Sequence, residues 1–318
     1  MRALPAAGTI AKSLARRVLA PNQQHFLSIE LYNLRREGVR HFYRWNRMLI
    51  EASLAERRSR GRYRMIDEVE ARAARTSDTV FVFGSGYSLH DISPAEWRHI
   101  AEHDVFGFNA FYNQHWVPVG FHILRGGVYG ELRWRPYAAE VAEAIRSNPL
   151  YDDTIFLLQG EFLADFPNHL LGHGFIPEGA RVLRYRTARG DGPPTRSFAE
   201  GIRHEGGTLS DAVNCAYVLG WKHIVLVGVD LYDSRLFFLE PDRTLAVDTT
   251  TGLLVPAEVN NVRGNRYDDP HYTVTTGVVD RMGSWRELLE RDGVRLSVYN
   301  PRSLLAAVVP PYERSTSP

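Results

Sequence analysis

The sequence contains a single cysteine in 318 residues, Cys215, so it can form neither an intramolecular disulfide nor a zinc site made of several thiolates. This cysteine lies in an apolar run, and we expect it to be a buried small hydrophobic residue. No stretch approaches the roughly 18 to 20 consecutive apolar residues of a spanning helix, and the N-terminus lacks the apolar stretch of a signal peptide. We therefore expect a protein of the cytoplasm, and the 44% hydrophobic and 24% charged residues are typical of a globular one.

Motifs for metal and hydrolytic chemistry are missing as well. The 12 histidines include no H-E-x-x-H pattern, and D-L-Y-D at 230–233 is not the Asp-x-Asp that marks metal-dependent nucleotide-sugar transferases. The G-S-G-Y-S at 84–88 is not the G-x-S-x-G of a serine hydrolase. We therefore expect no bound metal and no Ser-His-Asp chemistry.

Positive charge is concentrated near the N-terminus. Residues 1–75 contain 16 Lys and Arg against 7 Asp and Glu, whereas residues 76–318 contain 22 against 30. Within that basic part, Phe42, Trp45 and Leu49 recur at helical spacing between arginines, which predicts a helix with an aromatic face and basic flanks. Such a helix either belongs to a helical hairpin that covers the main domain with its apolar face, or it binds the anionic inner face of the membrane. Nucleic acid is disfavoured, because no base-reading motif accompanies the arginines.

From about residue 79 the sequence alternates short β-branched or aromatic runs with amphipathic stretches, which is typical of an α/β domain. The predicted strands are 79–83, 104–108, 121–124, 154–158, 181–184, 223–227 and 294–298, and the predicted helices are 94–102, 137–147, 209–219, 278–291 and 303–308. A loop is predicted at 188–194. The polar stretch 242–269 has no periodicity, and it is as long as a lid or a binding segment. The chain is thus expected to have a basic helical extension at 1–75 and one main domain at 76–318.

The first candidate binding residues follow the predicted strand 79–83. They are Gly84, Ser85, Gly86 and Ser88, and backbone N–H groups at a strand's carboxyl end suit a phosphate or a nucleotide. The stretch is not the dinucleotide fingerprint, because a third glycine is absent and the next strand ends at Asn109 rather than at an acid. The Asn109 carboxamide offers a donor and an acceptor to a base or a sugar hydroxyl.

The second group of candidates surrounds the predicted helix 209–219. Gly207, Thr208 and Ser210 lie where that helix begins, so free N–H groups and hydroxyls favour an anion there. The following strand ends near Asp230 and Tyr232, a position typical of active-site residues. We expect Asp230 to be a structural acid that holds neighbouring N–H groups.

Several blocks occur in a characteristic order: G-x-G-x-S-L at 84–89, D-V-F-x-x-N-x-F-Y at 104–112, the helix start at 206–210, L-G-W-K-x-I-x-L-x-G-V-D-x-Y at 219–232, H-Y at 271–272 and N-P-R-S-L-L at 300–305. In this order they resemble the bacterial CMP-sialic acid-dependent sialyltransferases of the Campylobacter type, glycosyltransferase family 42, and related nonulosonate-transfer proteins. The resemblance covers about residues 79–310.

The resemblance implies a single Rossmann-like domain, a GT-A variant, with a lid at about 233–276. It implies metal-independent, inverting transfer of a sialic acid-like or other keto-acid sugar from a CMP-activated donor to a bacterial surface glycan or glycolipid. On matching positions, the residues of 84–88 would lie along CMP, Asn109 would contact the cytidine or the sugar, Thr208 would hold the donor carboxylate, and Tyr232 would bond the leaving phosphate. Asn300 and Ser303 of the last block complete the predicted donor site. Assembly into homo-oligomers is left open.

Two positions depart from the family pattern. Phe238 stands where the family has a second phosphate-binding tyrosine, and Thr275 stands where it has its general-base histidine. His271, which matches a histidine beside that base, is the predicted substitute, with acids nearby at 268–269, and His204 is a second candidate. Two alternatives follow from these departures and stay open: a pyrophosphokinase-like or flagellin-glycosylation homologue on the same core, and an inactive nucleotide-binding pseudo-transferase.

Overall fold

The computed structural model describes residues 27, 31, 34–35, 38–124, 141–160, 166–188, 192–205, 207–239, 245–248, 254–256, 262–263 and 270–313. Its strands are β1 (Arg64–Met65), β2 (Thr79–Phe83), β3 (Asp104–Phe108), β4 (Phe121–Leu124), β5 (Ile155–Gln159), β6 (Arg181–Tyr185), β7 (Thr187–Ala188), β8 (Ile202–Arg203), β9 (His223–Val227), β10 (Leu245–Asp248), β11 (Leu254–Pro256), β12 (Val262–Arg263) and β13 (Arg295–Val298). Its α-helices are α1 (Gly38–Ser59), α2 (Glu68–Ala73), α3 (Pro94–Ile100), α4 (Phe166–Gly172), α5 (Thr208–Leu219) and α6 (Val278–Arg291). Residues 141–146 are also helical. Short 3₁₀ helices cover Tyr87–Asp91, Asn109–Asn113, Pro149–Tyr151, Phe198–Glu200, Tyr272–Thr276 and Leu304–Ala307.

Eight strands form one sheet in the order β1-β6-β5-β4-β3-β2-β9-β13, and every neighbouring pair is parallel. The central strands are buried along almost their whole length, as continuous apolar runs in a parallel sheet require. One apolar cluster joins one face of the sheet to α5 and α6, and a second joins the other face to α1, α3 and α4. The result is a three-layer, doubly wound α/β fold, which confirms the Rossmann-like prediction.

The N-terminal helix α1 packs on the main domain through the face that contains Trp45 and Leu49. Met48 and Leu49 are buried in the second apolar cluster, and Trp45 packs against it. The helix approaches α4 closely at Gly172, where a Cβ atom would lie 2.6 Å from the backbone nitrogen of Glu56. In the structure, the aromatic face of α1 therefore covers the main domain.

Residues 60–75 also join the main sheet, because β1 pairs with β6 as an edge strand and α2 follows it. Strand β1 is only two residues long and was not predicted from the sequence. The stretch 242–269 has no periodicity in sequence, yet β10 to β12 form a small antiparallel sheet there. Strands of two to four residues are too short to show a period. The rest of 242–269, residue 206 and the acids at 268–269 lie outside the described residues.

Most other predicted elements are confirmed. Strands β2, β3, β4 and β9 and helix α6 have the predicted bounds, and the remaining core strands differ by one residue. The predicted helix at 303–308 is a 3₁₀ turn, Leu304–Ala307. Cys215 is buried in α5, as expected. In the described part of the chain, none of the helices is long and apolar enough to cross a membrane.

Candidate active site at the carboxyl edge of the sheet

The order of strands reverses between β2 and β9. From β2 the chain winds outward through β3 to β6, and it then returns to add β9 and β13 on the other side. The loops after β2 and β9 therefore leave the sheet next to each other at its carboxyl edge. In open α/β sheets this reversal point is where ligands bind.

Gly84 and Gly86 allow the two loops to touch. Their backbone N–H groups donate to the carbonyl oxygens of Val227 and Gly228, at 2.8 Å each. A Cβ atom on Gly84 would lie 2.6 Å from the Gly228 carbonyl oxygen, and one on Gly86 would lie 2.7 Å from it. Both glycines thus have a packing role, and contact with a ligand remains a prediction. Beside them, the buried Ser85 hydroxyl makes no hydrogen bond within the described residues.

Asp230 links three loops at this edge. Its carboxylate accepts hydrogen bonds from the Ser88 backbone N–H at 2.9 Å, from the Ser88 hydroxyl, and from the Asn300 side-chain amide at 3.1 Å. The Ser303 hydroxyl donates to the Val229 carbonyl oxygen at 2.6 Å. The expected structural role of Asp230 is confirmed, and the contacts bring Ser88, Asn300 and Ser303 together.

A cavity of about 330 Å³ opens over this cluster. Its walls are formed by Ser88, Asp91, Ile92, Val227, Gly228, Tyr299, Asn300, Pro301 and Arg302. Arg302 forms an ion pair with Asp91, and its guanidinium carbon lies 6.0 Å from the centre of the Tyr232 ring. Arg302 was not among the predicted site residues, although it lies inside the N-P-R-S-L-L block. Its positive charge is a possible partner for a phosphate, which would replace the Asp91 carboxylate in this ion pair.

Tyr232 stands beside this cavity with its proton retained. Burial and the neighbouring Asp230 carboxylate raise the pKa of the Tyr232 phenol, and a hydrogen bond with Asn300 acts in the opposite direction. A phenol that stays protonated can donate a hydrogen bond to an anion.

Among the residues that the structure describes, two other than glycine adopt positive φ angles, Asn109 at 53° and Leu231 at 63°. Each of them follows a strand at the carboxyl edge of the sheet. Backbone in sparsely populated φ/ψ regions is common at functional sites. Asn109 is exposed. Its carbonyl oxygen accepts a hydrogen bond from Nε2 of His122 at 3.2 Å. Burial lowers the pKa of His122 to about 3, so this imidazole holds Asn109 as a neutral donor.

The start of α5 forms a second part of the edge. Gly207, with φ of 130°, is the N-cap, and a Cβ atom there would lie 3.6 Å from Cγ2 of Thr273. Ser210 is used internally: its hydroxyl accepts from the Glu205 N–H and donates to the Gly207 carbonyl oxygen, at 2.8 Å each. Thr208 is buried at the first helical position. Gly207 and Thr208 thus offer helix-start N–H groups.

His271 lies between the two parts. Its backbone N–H donates to the Leu231 carbonyl oxygen at 3.0 Å. Its Nδ1 accepts from the backbone N–H of Thr273 and contacts the Thr273 hydroxyl at 2.8 Å, so the proton of the neutral ring lies on Nε2. Burial lowers the pKa of His271 to about 4, while the Asp233 carboxylate raises it. In this neutral ring Nε2 carries the proton, and the role of His271 as the general base stays a prediction.

The two residues that depart from the family pattern, Phe238 and Thr275, are both described by the structure. Phe238 is half-buried, and its ring lies 5.3 Å from that of Phe237. Thr275 lies in the 3₁₀ turn that follows His271. Among the side chains that the structure describes, no group of three or more His, Cys, Asp or Glu could hold a metal ion.

The strand order and the loops at the carboxyl edge of the sheet define a Rossmann-like α/β protein with a polar cavity at its topological switch point. No protein-family model matches the chain, and no curated protein is significantly similar to it in sequence. Among solved structures, the chain is similar to the MAf glycosyltransferase from Magnetospirillum magneticum AMB-1, with a TM-score of 0.47 and 15% identity over 85% of this chain. The match covers 38% of that protein's chain, so this chain spans less than half its length. A similarity of this size carries no information about the reaction.

Proposed function

We propose that the protein is a glycosyltransferase that moves a sialic acid-like or other keto-acid sugar from a CMP-activated donor to a bacterial surface glycan or glycolipid. In this proposal the reaction inverts the anomeric centre and needs no metal. The main support is the switch-point cavity, in which Arg302, Asn300 and Ser88 meet beside Tyr232. A cation, an amide and a protonated phenol together suit the phosphate of a nucleotide that must leave as an anion.

The proposed roles follow from position. Tyr232 and Arg302 would stabilise the charge that develops on the departing CMP phosphate, and the loop with Ser85 and Ser88 would lie along the nucleotide. The Gly207–Thr208 helix start would face the donor carboxylate, because a helix N-terminus favours an anion. Asn109, exposed at the end of β3, would contact the cytidine or the sugar.

Thermal and chemical unfolding with nucleotides tests the donor class. CMP without divalent metal should stabilise the protein by about 2.7 kcal/mol at about a hundred times its dissociation constant. UDP and GDP, with or without Mn²⁺, should not. A shift with UDP and Mn²⁺ but none with CMP would reject the proposal in favour of a metal-dependent nucleotide-sugar enzyme.

A matched pair of arginine variants locates the binding site. Arg302→Ala should weaken CMP binding by about tenfold or more, because it removes a charge-assisted contact with the phosphate. Arg196→Ala is the control, because Arg196 also forms an exposed ion pair, with Asp292. Equal affinities in the two variants would place the nucleotide elsewhere. Tight CMP binding by a wild type that turns over no CMP-sugar would favour the inactive pseudo-transferase.

We also propose that the exposed face of α1 docks on an anionic membrane, where a glycolipid acceptor would be found. This face carries large apolar side chains at helical spacing, and their exposed fractions are 73% for Val39, 66% for Tyr43, 60% for Ile50 and 44% for Leu54. Exposed arginines flank it, among them Arg40 and Arg58. An apolar stripe with basic borders matches the chemistry of an anionic lipid surface.

A further inference from the structure

A second buried carboxylate at the carboxyl edge, Asp211, contacts a histidine rather than loop backbone. Asp211 lies in the first turn of α5 and is fully buried. Its Oδ1 is 2.5 Å from Nδ1 of His204, and its Oδ2 accepts a hydrogen bond from the Tyr185 hydroxyl at 3.0 Å. A tyrosine at the end of β6 and a helix start thus hold the acid in one orientation.

The Asp211 contact determines which nitrogen of His204 can act as a base. A carboxylate is only an acceptor, so Nδ1 of His204 carries a proton, and Nε2 of the neutral ring keeps its lone pair. Nε2 makes no hydrogen bond within the described residues, and 22% of the side chain is exposed. His271 has the opposite arrangement, since its Nδ1 is the acceptor and its Nε2 carries the proton.

The position of His204 suits a reaction at the same edge. It precedes the Gly207–Thr208 helix start by three residues, and Gly207 faces Thr273, next to His271. Because α5 leads directly into the parallel strand β9, its first turn lies at the carboxyl edge, where the loops after β2 and β9 also lie. Histidine oriented by a buried acid is a recurring arrangement for general bases.

We propose that His204, oriented by Asp211 and Tyr185, is the general base of the transferase. The inference rests on the proposed function. Nε2 of His204 takes the proton of the acceptor hydroxyl, while the oxygen's electron pair forms the new bond to the anomeric carbon. The bond from that carbon to the CMP phosphate oxygen breaks, and its electron pair leaves with CMP. The imidazolium beside Asp211 then returns its proton to solvent. His204 thus supplies the function for which Thr275 has no suitable group.

The test measures CMP release from CMP-N-acetylneuraminic acid and from CMP-3-deoxy-manno-octulosonic acid, with lactose or water as acceptor. His204→Ala should lower turnover by about 10² to 10⁴ and leave CMP affinity within about twofold. Added imidazole should restore part of the rate, which a purely structural loss would not allow. His115→Ala is the control, because His115 is an exposed histidine whose ring lies 4.7 Å from that of Trp116. His204→Ala turnover equal to wild type would overturn the inference.

A spectroscopic measurement keeps the inference testable if the alanine variant does not fold. In wild-type protein with ¹⁵N-labelled histidine, His204 should show a protonated Nδ1 and an unprotonated Nε2. Asp211→Asn should disturb that tautomer and lower turnover, with CMP binding retained. The reverse tautomer in the wild type would overturn the inference. Wild-type protein that binds CMP but releases it from neither donor would reject the proposed function, and this inference with it.

Discussion

The two buried carboxylates at the carboxyl edge differ in the kind of partner they hold. Asp230 accepts hydrogen bonds from the backbone and hydroxyl of Ser88 and from the amide of Asn300, so it links its own loop to two others. Asp211 accepts from the imidazole of His204 and from a tyrosine hydroxyl, so it orients a ring whose other nitrogen is open. Burial alone therefore does not distinguish a structural acid from a functional one, and the chemistry of the partners does.

Removal of the Asp230 carboxylate should produce the largest loss of stability. We expect Asp230→Ala to lower the free energy of unfolding by about 3 to 4 kcal/mol, because several buried donors lose their acceptor. Urea unfolding at pH 7 measures it. Asp211→Asn keeps its volume and an acceptor oxygen, so it should cost clearly less stability while it lowers turnover. Equal losses of stability in both variants would contradict the distinction between the two acids.

Acid should weaken the fold through the buried histidine that supports Asn109. The unfolded chain binds a proton at an ordinary histidine below about pH 6.5, whereas the folded-state pKa of His122 is about 3. Between these two pH values protons therefore bind preferentially to the unfolded state. The contribution of His122 to the free energy of unfolding is fully present above about pH 6.5 and is lost as the pH falls. From pH 6.5 to 4.5 the loss should be about 2 to 3 kcal/mol.

The variant His122→Gln separates this contribution from that of titrating carboxylates. Its unfolding free energy should decline less steeply over the same pH range, whatever its stability at pH 7. Parallel slopes for wild type and variant, measured by urea unfolding at several pH values, would show that His122 titrates alike in both states.

The close contact between the loops after β2 and β9 gives a smaller effect. Gly86→Ala should cost about 1 to 3 kcal/mol, because the added methyl group meets the Gly228 carbonyl oxygen and the Asp230 carboxylate. Gly120→Ala is the control, since a Cβ atom there would lie at an ordinary 3.6 Å from the Val105 carbonyl oxygen. If thermal unfolding shows Gly86→Ala to be as stable as Gly120→Ala, the loop contact is looser than the structure indicates.

The sequence was sufficient to predict the elements of the sheet and the Asp230 turn. Strands β2, β3, β4 and β9 are mostly apolar, and each is followed directly by Gly, Asn or Arg, so the local sequence marks where each strand ends. Asp230 comes three residues after the end of β9, in a position where an acid meets the N–H groups of adjacent loops. Local pattern and tertiary contact agree there.

His204 was a candidate base from the sequence, but its pairing with Asp211 and Tyr185 could not be predicted in the same way. Asp211 reads as an ordinary acid in the first turn of a helix, and its pairing with His204 and Tyr185 depends on how α5 packs beside β6 and β8. Arg302 lines the cavity because the chain after β13 lies over the end of β9. Contacts between distant segments leave no period in the sequence.

The exposed face of α1 is a third region, to be compared with the surroundings of Asp230 and Asp211. Substitutions on this face should have the smallest effects. The face contains no buried network, so its substitutions should leave folding and CMP binding unchanged. Arg40→Gln or Arg58→Gln should each weaken sedimentation with phosphatidylserine vesicles by about 1 kcal/mol, roughly fivefold, because each removes one positive charge near the lipid surface. The effect should fade as salt is added.

Charge and apolar contact can be separated on the same face. Arg98→Gln removes an equal charge from the exposed surface of α3, outside this face, and should bind vesicles as the wild type does. Ile50→Ser should weaken vesicle binding with little dependence on salt, since it removes apolar area that would enter the bilayer interface. If Arg98→Gln and Arg40→Gln weaken binding alike, the attraction is diffuse. If neither those variants nor Ile50→Ser changes it, the α1 face is not the docking surface. A dimer that Ile50→Ser dissociates in light scattering would instead assign the face to a second copy of the chain.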